Sequence, residues 1–249
     1  MLKKQNSKVL HWNQSIGELN IIGGMSQINI KEVLENIRGV FFDMDGVLYD
    51  SMGAHADAWS NAFSFFGIDF PPEKVYQNEG RTAQSTINLV FQQNEERKAT
   101  DSEIEKIYSK KTELIEDYPD AIPFRSALAL MERLKIQGVD IWVVTGSSQD
   151  KFLEALLRDF GGFVTSGRII TGRDVKHGKP HPEPYLKALQ QSGWKSSEVV
   201  VIENAPLGIQ SAKSAGIFTI AVNTGILANK VLWEAGADIV IKDLNELYL

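Results

Sequence analysis

Short apolar runs recur along this chain, and the first three end in residues able to do chemistry. Val40–Phe42 leads to Asp43, Val139–Val144 to Thr145, and Val199–Ile202 to Glu203; Phe218–Val222 and Ile239–Ile241 follow. Runs this short and this apolar read as strands covered on both faces. Between them, residues 31–37, 125–137, 149–159, 182–192, 206–215 and 226–235 carry apolar residues at helical spacing. Val164 and Ile169–Ile170 read as short strand pieces. Strands alternating with helices predict an α/β core, a doubly wound parallel sheet with helices on both sides.

One region breaks the rhythm. After a helical stretch at 52–66, residues 73–118 hold no convincing strand but further helical stretches at about 83–93 and 101–117, with Thr100 or Asp101 as a cap for the last. Pro119 and Pro123 bracket the return. We therefore divide the chain into a core of residues 31–52 plus 122–249 and an inserted all-helical cap domain of residues 53–121. Residues 1–30 form an N-terminal extension, polar and irregular, in which Met25 after Gly23-Gly24 offers an alternative start.

Composition narrows the chemistry. The chain of 249 residues has no cysteine, which excludes thiolate catalysis, disulfides and cysteine metal sites. A metal must then be held by oxygen or histidine, and an oxygen site favours a hard cation such as magnesium. A net charge of −6 without a long basic run argues against nucleic acid or an anionic membrane as partner. No apolar run is long enough for a signal peptide or a membrane span, so the expectation is a cytoplasmic protein.

A parallel sheet gathers its strand ends at one edge, where open α/β folds bind ligands. Asp43 and Asp45 fall on one face of an extended segment, and Gly46 lets the chain turn away. Thr145-Gly146-Ser147 follows the second long strand, Glu203-Asn204 the third, and Lys179 lies in the loop Gly178-Lys179-Pro180. Taken singly, these are equally an acidic turn, a helix cap, a simple turn and a solvated lysine. Together they suit phosphoryl transfer. One carboxylate attacks phosphorus, a second acid protonates the leaving oxygen, and hydroxyl, amide and lysine groups hold the spreading charge.

Asp43-Met44-Asp45-Gly46-Val47, Thr145-Gly146-Ser147, Gly178-Lys179-Pro180 and Glu203-Asn204, in this order, resemble the four motifs of the haloacid dehalogenase superfamily. The resemblance spans about residues 38–245, and the helical insert is similar to the cap of its β-phosphoglucomutase-like group. It implies an HAD-like Rossmannoid core with Asp43 as nucleophile and Mg2+ ligand. Asp45 would be the general acid/base and a ligand through its carbonyl. Thr145, Gly146, Ser147 and Lys179 would hold the phosphoryl group, and Glu203 and Asn204 would complete the metal site. Asn204 departs from the Glu-Asp usual in the family and removes a charge. Asp45 itself argues against dehalogenation, because the family's dehalogenases lack it.

The cap is expected to choose the substrate. His55 stands where the mutases of the group carry a proton-transfer histidine. Ala83 stands where mutases typically carry an Arg for the distal phosphate, and Ser148 where they often carry Lys. Glu79-Gly80-Arg81-Thr82 and Val201-Ile202-Glu203-Asn204-Ala205-Pro206 look closely like an inorganic pyrophosphatase branch. That likeness would make Glu79 a further metal ligand and set Arg81 and Lys111 on the substrate. The leading expectation is a magnesium-dependent pyrophosphatase, working as a monomer through an aspartyl-phosphate. The alternative is a sugar-phosphate phosphatase or β-phosphoglucomutase, and a third is a non-catalytic binding module.

Overall fold

A computed structural model describes residues 10–13, 18–21, 33 and 37–247. Ten strands are present among them. β1 (Leu10–Asn13) and β2 (Glu18–Ile21) pair antiparallel. β3 (Gly39–Phe42), β6 (Asp140–Val144), β7 (Ile169–Ile170), β8 (Val199–Glu203), β9 (Phe218–Val222) and β10 (Ile239–Ile241) form one parallel sheet in the order β10-β9-β8-β3-β6-β7. β4 (Tyr49–Asp50) and β5 (Ile122–Pro123) form a small antiparallel pair.

The side chains of the central strands alternate between two cores, as period two demands. Val40, Phe42, Val143 and Ile202 point into one, where Leu130, Leu134, Leu156 and Phe160 from the helices Arg125–Ile136 and Asp150–Phe160 cover them. Phe41, Trp142, Val144 and Val201 point into the other, beneath Tyr185, Ala188 and Ala212 of the helices Glu183–Ser192 and Pro206–Ser214. Each such side chain, buried, stabilises the fold by about 1.5–3 kcal/mol. Register aligns the site: Phe42 sits opposite both Val143 and Ile202. Asp43, Thr145 and Glu203 therefore reach one edge. The chain leaves β3 towards β6 and β7, then returns on the other side through β8, so that edge is also the topological switch point.

Four helices fill the interruption after β4: Met52–Phe65, Pro72–Gln77, Ala83–Glu95 and Asp101–Glu116. They enclose their own core, which includes Phe63, Phe70, Ile87, Val90, Phe91 and Ile107. Thr100 caps the last helix in a reciprocal pair with Glu103.

The structure departs from the sequence reading in a few places. Residues 10–13 and 18–21 pair as antiparallel strands where an irregular segment is expected, with Leu10 opposite Ile21 and Trp12 opposite Leu19 in the register. Val164 is in no strand but is buried in the core beside Phe160. The helix expected over 226–235 begins only at Asn229. Most of the helix expected at 31–37 lies outside the described residues. No helix among the described residues is long and apolar enough to cross a membrane.

Candidate active site

Lys179 sits at the centre of the sheet edge. Its Nζ lies 2.5 Å from Asp43 Oδ1 and 2.6 Å from Glu203 Oε1, and donates to the Val144 carbonyl at 3.1 Å. All three charged groups are buried. Glu203 is held further by Tyr185, whose hydroxyl donates to Oε1 at 2.7 Å, and by the Asn204 and Ala205 amides on Oε2 at 3.1 and 3.4 Å. A Cβ on Gly208 would lie 1.8 Å from Glu203 Oε1, so only glycine leaves room for this carboxylate. Both Glu203 oxygens are thus engaged within the protein.

Asp45 is the second centre. Its Oδ1 accepts from Ser51 Oγ at 2.6 Å and lies 3.4 Å from His55 Nε2. Lys111 Nζ lies 3.3 Å from His55 Nδ1. Lys111 donates to Nδ1, which leaves the Nε2 hydrogen to face Asp45. Burial pushes the Asp45 carboxyl up, but His55, Ser51 and Lys111 outweigh it and hold the group at about 2. For Asp43 burial wins: its pKa is raised well above the ordinary carboxylate value despite Lys179, with Glu203 and Asp45 adding to the rise. Environment therefore sets the two carboxyls apart: without a cation Asp43 is the one that keeps its proton and Asp45 the one that ionises. That is the reverse of what a nucleophilic Asp43 and a proton-donating Asp45 need, so a cation beside Asp43 is required to ionise it.

The cap closes over this edge at residues 78–82. A Cβ on Gly146 would lie 3.0 Å from the Gly80 carbonyl oxygen, and one on Gly178 3.0 Å from Thr82 Cγ2. Gly80 itself has φ of +87° and rests on the Lys179 stem. Gln149 reaches across to Tyr108 and Thr112 at 3.2 and 3.4 Å. The cleft between cap and core, about 300 Å³, is lined by Asp45, His55, Glu79, Arg81, Lys111 and Ser147, among others. Burial and Asp45 raise the Glu79 carboxyl, while His55 and Lys179 pull it down, so this cap residue stands in the field of the core site. Lys111 is buried and its pKa is lowered by that burial, against the pull of Asp45 and Glu79.

The structure thus gathers Asp43, Asp45, Lys179, Glu203, Asn204, Thr145, Gly146 and Ser147 at one edge, with His55, Glu79 and Lys111 facing them. Thr145 Oγ1 accepts from the Ser147 amide at 3.0 Å, which fixes the turn. Arg81 lines the cavity, but its guanidinium donates to Asn78 and Ser85. Sequence reasoning missed Ser51 and Tyr185. Ser51 occupies the N-cap position of the Met52–Phe65 helix, yet its side chain makes no cap hydrogen bond and serves Asp45 instead.

The donors fit a hard cation. Asn204 Oδ1 is buried without a partner, which is costly unless something fills the gap. A Cβ on Gly46 would strike Asn204 Nδ2 at 1.9 Å, so that turn holds the amide close to Asp45. Asp43, Asp45, Glu79 and Glu203 face Lys111 and Lys179, four acids against two lysines. The surplus is what a divalent cation would neutralise. Among the described residues no other element brings so many opposed charges into burial.

Residues 37–216 match the model of the haloacid dehalogenase-like hydrolases. The chain belongs to this family. Among its hydrolase relatives, hexitol phosphatase A of Escherichia coli is 32% identical, over 75% of this chain and 83% of that protein. Validoxylamine A 7'-phosphate phosphatase of Streptomyces hygroscopicus is 29% identical, over 83% and 93%. A solved β-phosphoglucomutase-like structure from Bacteroides vulgatus is 42% identical with a TM-score of 0.82, over 87% and 93%. These similarities show a phosphohydrolase of this family and do not show the expected resemblance to a pyrophosphatase branch.

Proposed function

We propose that this hydrolase is a magnesium-dependent phosphatase of small sugar or polyol phosphates, acting through an aspartyl-phosphate. The carrying observation is the pairing of Lys179 with Asp43, beside an Asp45 served by Ser51 and His55. The relatives' names, which include a fructose-1-phosphate phosphatase, support the substrate class. Asp43 Oδ would attack phosphorus as the bond to the leaving oxygen breaks, and Asp45 would supply the proton that oxygen needs. Water then attacks the aspartyl-phosphate, Asp45 takes its proton, and phosphate departs. Lys179, the Thr145 hydroxyl and the amides of the 145–147 turn are placed to hold the phosphoryl oxygens. Glu203 keeps Lys179 in position. Asp43, the Asp45 carbonyl and Asn204 Oδ1 would hold magnesium, which neutralises phosphoryl charge when bound.

A second reading, pyrophosphate hydrolysis, draws on Glu79. A cap carboxylate over the phosphoryl site repels a second phosphate group unless a cation lies between them. Ala83 and Ser148 speak against a mutase. One panel tests these readings: kcat/KM with magnesium for hexose, hexitol and glycerol phosphates, β-glucose 1-phosphate and pyrophosphate. A preference for a sugar or polyol phosphate is the expected result; a preference for pyrophosphate selects the second reading. Asp43→Asn should abolish all turnover in a protein that remains folded, and substantial residual activity would remove Asp43 as the nucleophile.

A further inference from the structure

The loop that delivers Lys179 has a second, outward face. His177 and His181 flank Lys179 and Pro180, and both imidazoles are exposed while the Lys179 side chain is buried. Glu183 follows as the first residue of the helix Glu183–Ser192. Ligand atoms of His177, His181 and Glu183 all lie within 4.8 Å of one another. His177 Nδ1 is 2.9 Å and His181 Nδ1 3.9 Å from the same oxygen, Glu183 Oε2. The two rings lie 4.7 Å apart, centroid to centroid.

We propose that His177, His181 and Glu183 form a binding site for a borderline divalent transition ion such as zinc. Two imidazoles and a carboxylate are the donors such an ion selects, whereas the Asp43 site offers only oxygen, the choice of magnesium. Atoms ligating zinc at about 2.1 Å in a tetrahedron stand about 3.4 Å apart, so modest side-chain rotation closes the triad. The carboxylate is already oriented: the Lys176 amide donates to Oε1 at 2.8 Å and the His177 amide to Oε2 at 3.0 Å. Such outer bonds fix a ligating group before the ion arrives. His181 Nδ1 now accepts from the Glu183 amide at 3.2 Å; zinc would take that lone pair, and the exposed amide would turn to water. A fourth coordination position opens to solvent, beside a groove between this loop and the start of the Ala83–Glu95 helix. The ion would therefore clasp the loop across Lys179 from its exposed side, while the Lys179 ammonium is buried against Asp43. The competing arrangement is a plain ion pair, His177 with Glu183.

The test is zinc calorimetry on the full chain, free of any affinity tag, in saturating magnesium. Wild type should bind one zinc that the His177→Ala/His181→Ala double variant does not, while Asp43→Asn keeps it. Cobalt in place of zinc should give visible d–d bands in wild type that vanish in the double variant. Both readouts are independent of turnover, so they stand apart from the substrate assignment. The double variant changes exposed side chains, and its melting profile should match wild type. Equal zinc binding by wild type and the double variant, or none by wild type, overturns the site and leaves the ion pair.

Discussion

Lys179 Nζ lies 2.5 Å from Asp43 Oδ1, across 136 residues of chain and with both side chains out of reach of water. The same ammonium lies 2.6 Å from Glu203. One cation thus answers two buried carboxylates, and in the absence of a metal Asp43 is undersupplied. Its raised pKa expresses that deficit.

Lys179→Met removes the cation while keeping most of the stem volume. Breaking a buried pair costs about 3–5 kcal/mol when the orphaned charge has no relief. Here relief exists, because Asp43 can take up a proton. Groups with raised folded-state pKa values contribute stability at low pH and lose it as pH rises through the raised value. Urea denaturation should therefore show a deficit that is large near pH 8 and shrinks towards pH 5. Turnover should fall by at least about 10²-fold, the loss of one charge-stabilising donor. A deficit independent of pH would mean that lost packing, not charge, dominates.

His55→Ala tests the other carboxyl. Asp45 is held at about 2, below its ordinary 3.8, so its contribution is complete above pH 4 and disappears as pH falls through 2. That contribution is at most about 2 kcal/mol. In chelator, wild type should exceed the variant by the most above pH 4, and the two acid-unfolding curves should converge towards pH 2. The basic limb of kcat/KM, where Asp45 gives up the proton it must donate, should move to higher pH in the variant, as Asp45 becomes harder to ionise. An unmoved limb would disconnect His55 from Asp45.

Gly146→Ala probes cap closure. The new methyl would meet the Gly80 carbonyl oxygen at 3.0 Å, and backbone cannot swing aside as a side chain can. The loop at 78–82 must lift, and displacements of about 1 Å can cost 10²-fold in rate. We expect kcat/KM to fall by about 10- to 100-fold, with stability changed by less than about 1 kcal/mol. Unaltered kinetics would show that turnover does not need this contact.

The core and the acids at its edge were legible because their signals are repetitive. Four-residue and five-residue runs such as Val199–Glu203 are buried along their whole length, and a polar residue at each carboxyl end stands out against them. The two-residue strands Tyr49–Asp50 and Ile122–Pro123 are too short for any periodicity to register. Pro71-Pro72 hides the six-residue helix Pro72–Gln77, because paired prolines mark a turn as readily as proline in a first turn opens a helix. Ser51 and Tyr185 look like an ordinary helix cap and a core aromatic, and nothing local reveals that their hydroxyls serve Asp45 and Glu203. Nor could Glu203 be separated from a metal ligand by residue type. Only its four partners show that it is spent on Lys179, Tyr185 and two amides.

Asn204→Asp should behave oppositely with and without metal. The Asn204 Oδ1 atom is buried and unpartnered beside Gly46. An aspartate there adds a fifth acid to a site with two lysines, so in chelator the melting temperature should drop. Magnesium should restore it and bind more tightly than in wild type, because the ion gains a full charge to meet. A drop that magnesium fails to reverse would place Asn204 outside the ion's reach.

Glu79→Gln separates the two substrate readings most sharply. Glutamine keeps the shape of the side chain and removes its charge, so the cap fold, which rests on residues such as Phe63 and Phe91, should be untouched. The Glu79 carboxyl feels Asp45, His55 and Lys179 and lines the same cleft as Asp45. If it meets a cation carried with pyrophosphate, the variant loses pyrophosphate turnover and needs more magnesium for the remainder. If the natural leaving group is a neutral sugar or polyol, removing the charge leaves the magnesium requirement unchanged and alters kcat/KM for hexitol or hexose phosphate by less than about tenfold. The measurement is kcat/KM for both substrate classes across a magnesium titration. Equal losses for both classes at every magnesium concentration would show that Glu79 shapes the cap loop and discriminates nothing.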